Sequence, residues 1–155
     1  MLRERADDAN ARAGIHTGSV DFDPSRSVDF DASLAAETYC YLTTTGRVSG
    51  KPREIEIWFG LDGRTLYMLS GGGDRSGWVR NLIKTPAVSV RIAGRTFQGR
   101  ARVADNPDED ALARRLLYEK YSAGYAGDLS SWRDTALPIA VDLAWGGPGR
   151  PSPND

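Results

Sequence analysis

Cysteine and histidine are nearly missing from this chain: one of each in 155 residues. With only Cys40, no internal disulfide framework can form. With only His16, which falls in a polar N-terminal stretch, a Ser-His-Asp triad, a Cys-His pair and a histidine-based zinc site are all disfavoured. No metal is expected. No apolar run reaches the length of a membrane span, and the opening Met-Leu-Arg-Glu-Arg-Ala-Asp-Asp has no apolar core for a signal peptide, so a cytoplasmic protein is expected. A Walker loop is also lacking. Gly71, Gly72 and Gly73 do not have the G-x-G-x-x-G spacing and open no βαβ unit, which excludes a dinucleotide fingerprint.

Acidic residues are absent from Arg75 to Arg102, a window holding Arg75, Arg80, Lys84, Arg91, Arg95, Arg100 and Arg102. Such a window suits an electropositive face for an anionic ligand. It is equally compatible with a solvated sheet surface in a chain whose basic residues are, apart from Lys51, Lys84 and Lys120, all arginine. Nucleic acid is not expected as a partner, because the pI is about 5.9 and no helix-turn-helix, zinc-finger or RNA-binding signature accompanies the window.

Composition is that of a soluble globular protein, 40% hydrophobic and 26% charged, and the length favours one domain with a real core. Residues 1–35 are polar and aperiodic and read as a mobile or loosely docked arm, with a short edge strand at Val20-Asp-Phe-Asp as a variant. Residues 36–145 form the expected domain, and the Gly/Pro-rich 146–155 a flexible tail. Within the domain, strands are expected at 38–45, 52–60, 65–70, 87–92, 95–104 and 137–143. In the second, Ile55, Ile57 and Phe59 alternate with Glu54, Glu56 and Trp58. Asp62-Gly63 and Ala93-Gly94 mark tight hairpins. Pro138 suggests that the last strand starts at an edge. One helix is expected from Trp78 to Lys84, stopping ahead of Pro86. A second begins after Asn106-Pro107 with Glu109 completing a capping box and Leu112, Leu116 and Leu117 on its apolar face. Hairpin-linked strands with interspersed helices predict a small closed barrel rather than a doubly wound sheet.

The most telling segment is Thr43-Thr44-Thr45-Gly46-Arg47-Val48-Ser49-Gly50-Lys51-Pro52-Arg53. It leaves an apolar strand, turns with hydroxyls and free backbone N–H groups, and carries three cations. That combination suits a phosphate-bearing ligand. A chain this poor in acid–base side chains can be an enzyme if a cofactor carries the reaction and the protein supplies binding, orientation and electrostatics.

The segment resembles the Thr-Thr-Thr-Gly-Arg-Lys-Ser/Thr-Gly-x-Pro-Arg signature of the deazaflavin (coenzyme F420)-dependent nitroreductase family. Three further stretches are similar to that family in the same order: Leu66-Tyr-Met-Leu-Ser70, Trp78-Val-Arg-Asn81-Leu followed by Thr85-Pro86, and Ser131-Trp132-Arg-Asp134 before the last strand. The resemblance spans about Thr38 to Leu143. It implies a mainly β, split β-barrel of the flavin-reductase and pyridoxamine-oxidase type that binds F420 and passes a hydride to a quinone, an enone or a nitro compound. By the same resemblance, Arg47, Val48 and Ser49, helped by Lys51, lie by the coenzyme's phosphate-bearing tail. Arg53, Glu54, Ile55, Glu56, Ile57 and Trp58 pass along its ring system, and Met68, Leu69, Ser70 and Gly71 close another wall. Gly77, Trp78, Val79, Arg80 and Asn81 bring a helix N-terminus to the anion. Ser70, Tyr121 or Tyr125 would orient the acceptor or supply a proton. The family's second basic residue is Val48 here, its lysine after the strand-three serine is Gly71, and Glu54 and Glu56 replace apolar or amide residues. FMN on the same barrel, or a non-catalytic binder of a deazaflavin, a flavin or a fatty acid, are the other readings. Monomer and homodimer both stay open.

Overall fold

The computed structural model describes residues 32–144. His16, most of the expected arm, including the strand variant at Val20, and the expected tail lie outside the described residues. In chain order the elements are helix α1 (Ala32–Ala35), strands β1 (Cys40–Thr45), β2 (Pro52–Ile57), β3 (Gly60–Asp62) and β4 (Thr65–Ser70), a 3-10 turn (Gly73–Arg75), helix α2 (Gly77–Lys84), strands β5 (Ala87–Ile92) and β6 (Arg95–Val103), helices α3 (Pro107–Ser122) and α4 (Ser130–Thr135), and strand β7 (Leu137–Leu143). Among the described residues no helix is long and apolar enough to cross a membrane.

The seven strands form one antiparallel sheet in the order β2-β1-β5-β6-β7-β4-β3. Its two edge strands, β2 and β3, are consecutive in the chain and separated only by Trp58 and Phe59. A link that short forces the sheet to curl until its edges nearly meet, which makes it a split β-barrel.

Register explains what fills the barrel. Leu42 stands opposite Ile55 on one side and Val90 on the other, Val90 opposite Phe97, Ala101 opposite Val141, Val141 opposite Leu66, and Ile139 opposite Met68. All point inward, and all but Ile55, which packs half-buried against it, belong to one buried cluster that α2 plugs with Trp78, Val79 and Leu82. The opposite face of β4 and β7 presents Tyr67, Leu69 and Ala140, which α3 covers with Ala113, Leu117 and Tyr121 and α4 with Trp132. The β5–β6 hairpin turns on Ala93 and Gly94, both in the left-handed region (φ 53° and 81°), as a two-residue connection requires.

Several expectations need correction. The single strand expected at 52–60 is two: β2 leaves β1 after Ile57, and β3 pairs with β4 from Gly60. Pro138 does not mark an edge, because β7 lies between β6 and β4. The Pro138 carbonyl accepts from Ala104 N–H just beyond the end of β6, so its nitrogen faces a side where the ladder has stopped and costs no bond. Asn106 caps α3 by accepting from the N–H groups of Asp108 and Glu109, but Glu109 turns away from the cap. Its carboxylate instead accepts from Arg102 at 2.7 and 2.8 Å and from the Tyr67 hydroxyl at 2.7 Å. Those donors hold it down at about 2. Arg102 also reaches Asp142, so one guanidinium ties α3 to β6 and β7.

Candidate functional site

The turn after β1 is closed by Gly46 N–H to the Lys51 carbonyl (2.8 Å) and by Gly50, at φ 74°, donating to the Gly46 carbonyl (2.9 Å). A Cβ on Gly46 would meet Ser49 Oγ at 2.8 Å and the Lys51 carbonyl at 3.2 Å, so the turn is tight there and Ser49 would have to rotate away. Asn81 of α2, buried, binds this turn to the helix. Its Oδ1 accepts from the Arg47 backbone N–H (3.1 Å) and from Arg47 Nη1 (2.9 Å), while its Nδ2 donates to Thr44 Oγ1 (3.1 Å). Arg47 Nη1 also lies 3.3 Å from the Gly77 carbonyl, and Lys84 Nζ donates to the Arg47 carbonyl at 3.1 Å. Arg47 is thus a guanidinium fixed in direction. Val48, Ser49, Lys51 and Arg53 around it are exposed.

The loop from β4 to α2 is organised by Ser70. Its buried hydroxyl donates to the Gly73 carbonyl and lies 2.9 Å from Ser76 Oγ. Ser76, the N-cap of α2, therefore makes no side-chain cap, and α2 starts at the exposed Gly77 beside Arg47. Arg80 is exposed on α2, and neither it nor Arg75 has a carboxylate partner among the described residues. Arg100 is exposed as well, while other cations of the window are engaged within the protein. Arg91 pairs with Glu54 at 2.9 Å and lies over the Tyr41 ring, Arg95 lies over Phe97, and Arg102 holds Glu109 and Asp142.

Along β2, Glu54 is exposed and Glu56 buried, with Tyr41 donating to Glu56 Oε2 at 3.3 Å. Ile55 and Ile57 turn into the barrel, as do Met68, Trp78 and Val79, while Leu69 lies under α3 and α4. Apart from the half-buried Ile55, these side chains are buried and leave the backbone as their main face to the outside. Gly71 and Gly77 are exposed.

Trp58 ends the outward row of β2 in an aromatic cluster. It stacks on Tyr121 (centroids 4.2 Å, planes 4° apart) and meets Tyr125 and Trp132 edge-on at 5.8 and 5.5 Å. The Tyr121 hydroxyl accepts from Phe59 N–H at 3.1 Å and donates to the Thr38 carbonyl at 2.7 Å, and burial pushes its pKa up. Tyr125 is exposed. The hydrogen-bond partners of Ser70 are Gly73 and Ser76, not either tyrosine. Sequence reasoning gave Trp132 no role, although it sits in the noted Ser131–Asp134 stretch. It also passed over Lys120, whose Nζ donates to the Phe59 carbonyl at 2.9 Å.

Residues 25–144 match the family described as F420H(2)-dependent quinone reductase. The chain belongs to that family. It is therefore an F420-dependent oxidoreductase by family. Solved structures share its fold: an F420 reductase (24% identity, 72% of this chain and 91% of that chain, TM-score 0.53), the F420-H2 dependent reductase FDR-A (23%, 69% and 94%, 0.54), and a Listeria innocua protein provisionally assigned as a pyridoxamine 5'-phosphate oxidase (19%, 72% and 88%, 0.55). The split-barrel architecture read from the strand order is common ground with the quinone reductase family and these neighbours.

Proposed function

We propose that the protein reduces an electron-poor acceptor, a quinone before an enone or a nitro compound, with coenzyme F420 rather than FMN as its cofactor. The observation that carries this is the anchored Arg47. A guanidinium already fixed by Asn81 and Gly77, beside the N-terminus of α2 and among Lys51, Arg53 and Arg80, suits a phosphate and its anionic extension at little ordering cost. The outward row of β2, Glu54 and Glu56 continued by Trp58, runs from beside that anion site toward the aromatic cluster, which suits a planar ring system. Ser49 Oγ and the backbone of Met68–Gly71 complete the set of groups that would hold the coenzyme. When bound, the reduced coenzyme supplies a hydride. A quinone that takes it gains one proton from water as well and leaves as hydroquinone. The protein's share is to bind, orient and exclude water, since no nucleophile is needed.

The test is a titration of the full chain with oxidised F420, run beside FMN. Wild type should saturate with F420, and Arg47→Ala and Arg53→Ala should each weaken it about 10- to 100-fold, the scale of hydrogen bonds to a charged group. Saturation with FMN alone would move the protein to flavin chemistry. Saturation with neither would overturn the reading.

A further inference from the structure

Two buried indole N–H groups, Trp58 Nε1 and Trp132 Nε1, have no acceptor, and they are the only buried side-chain nitrogens or oxygens among the described residues in that condition. A buried donor left without a partner loses its hydration for nothing in return, and native interiors seldom leave one. Here the two stand together. Their rings are 5.5 Å apart with planes at 81°, although one leaves β2 and the other belongs to α4. Both border the walls of the proposed cofactor site. Trp58 continues the outward row of Glu54 and Glu56. Trp132 turns Cδ1, the ring carbon bonded to Nε1, toward Gly71, only 3.7 Å from where a Cβ would stand.

We infer that Trp58 and Trp132 donate these N–H groups to an oxygen of the acceptor, which makes the substrate class a planar molecule bearing a carbonyl or nitro oxygen. The inference rests on the F420-dependent reading above. Hydride arrival leaves negative charge on an acceptor oxygen: a quinone becomes the hydroquinone monoanion, then takes a proton from water. Fixed N–H donors at that oxygen stabilise the charge as it develops. Indole is a donor only, so the pair positions and stabilises but does not deliver the proton. Both nitrogens are shut off from solvent, so the acceptor must displace a wall. Tyr121 is held by its backbone bonds, whereas Tyr125, 39% exposed and edge-on to Trp58, is the wall free to move.

Trp58→Phe and Trp132→Phe keep the packing and delete the donors. With 15N-tryptophan-labelled protein saturated with oxidised F420, added menadione should move two of the four indole N–H signals downfield. Those two should be the signals missing from the variants. Each variant should lose about 10- to 100-fold in kcat/KM for menadione when measured at saturating F420. Indole signals that lie upfield and ignore menadione would mean that each N–H points at the neighbouring ring and would overturn the inference. So would unchanged kcat/KM in both variants. If a variant fails to fold, the wild-type titration still decides by whether two signals move. Coenzyme absorbance in the same samples reports F420 binding separately. Wild type that does not bind F420 overturns the function proposed above, whereas bound F420 with unmoved indoles overturns only this inference.

Discussion

Lys120 holds its ammonium 3.7 Å from the centre of the Phe59 ring and 5.1 Å from that of Tyr121, with the Phe59 carbonyl as its hydrogen-bond acceptor. Loss of water around the charge outweighs the pull of Cys40 and Glu37 and brings its pKa down to about 8 from 10.5. Between those two values the unfolded chain binds a proton that the folded chain does not, so this residue makes stability rise with pH across that window. Cys40, pushed up to about 12 from 9.0 by burial, acts in the opposite direction, because above pH 9 the unfolded thiol ionises and the folded one does not. Comparing wild type with Lys120→Met cancels that contribution. Urea unfolding at pH 7.5 and 9.5 should show wild type gaining stability relative to the methionine variant as pH rises. The gain should stay below about 1.4 kcal/mol per pH unit, since the side chain is only partly enclosed and solvent screens it. A difference that does not change with pH would mean that Lys120 titrates normally.

Within β6, Gly99 pairs with Val88 on one side and Leu143 on the other, and a Cβ there would come within 2.5 Å of Val141 Cγ1 and 3.1 Å of the Asp142 carbonyl. Two strands would have to part to admit it. Gly99→Ala should therefore lower stability by about 1–3 kcal/mol, seen as a lower urea midpoint at unchanged slope, with F420 affinity kept. An alanine variant as stable as wild type would show that the β6–β7 spacing relaxes easily. Elements bounded by local chemistry could be read in advance: β5 between Pro86 and the Ala93-Gly94 turn, α2 before Pro86, α3 behind Asn106-Pro107. The break between β2 and β3 could not. The inward series Ile55, Ile57, Phe59 runs through it without interruption, and only a change of pairing partner, a long-range event, separates the strands. Six-residue α4 is too short to show a helical period, and Pro138 looks like an edge marker until the end of β6 beside it is known. At the site, the cationic turn was legible because its glycines, hydroxyls and cations are contiguous. Asn81 as its anchor, and the meeting of Trp58 with Trp132, depend on residues 30 or more positions apart.

At the scale of the whole molecule, the barrel is completed where β2 passes into β3, and one side chain from outside the sheet secures that point. Tyr121 of α3 accepts from the Phe59 N–H, donates to the Thr38 carbonyl ahead of β1, and stacks on Trp58, so a single residue touches the entry to the sheet and the junction of its edges. Tyr121→Phe keeps the stack but leaves the buried Phe59 N–H without its acceptor, and should cost about 1–3 kcal/mol in urea unfolding. If the hydroxyl serves this closure and not the chemistry, kcat with menadione and the affinity for F420 should stay within about twofold of wild type, a change of ~0.4 kcal/mol. A variant that keeps its stability but loses kcat would return Tyr121 to the role of proton donor or acceptor-orienting group. It would also require the hydroxyl to leave the Thr38 carbonyl during turnover, and with it the edge-to-edge joint that gives the barrel its shape.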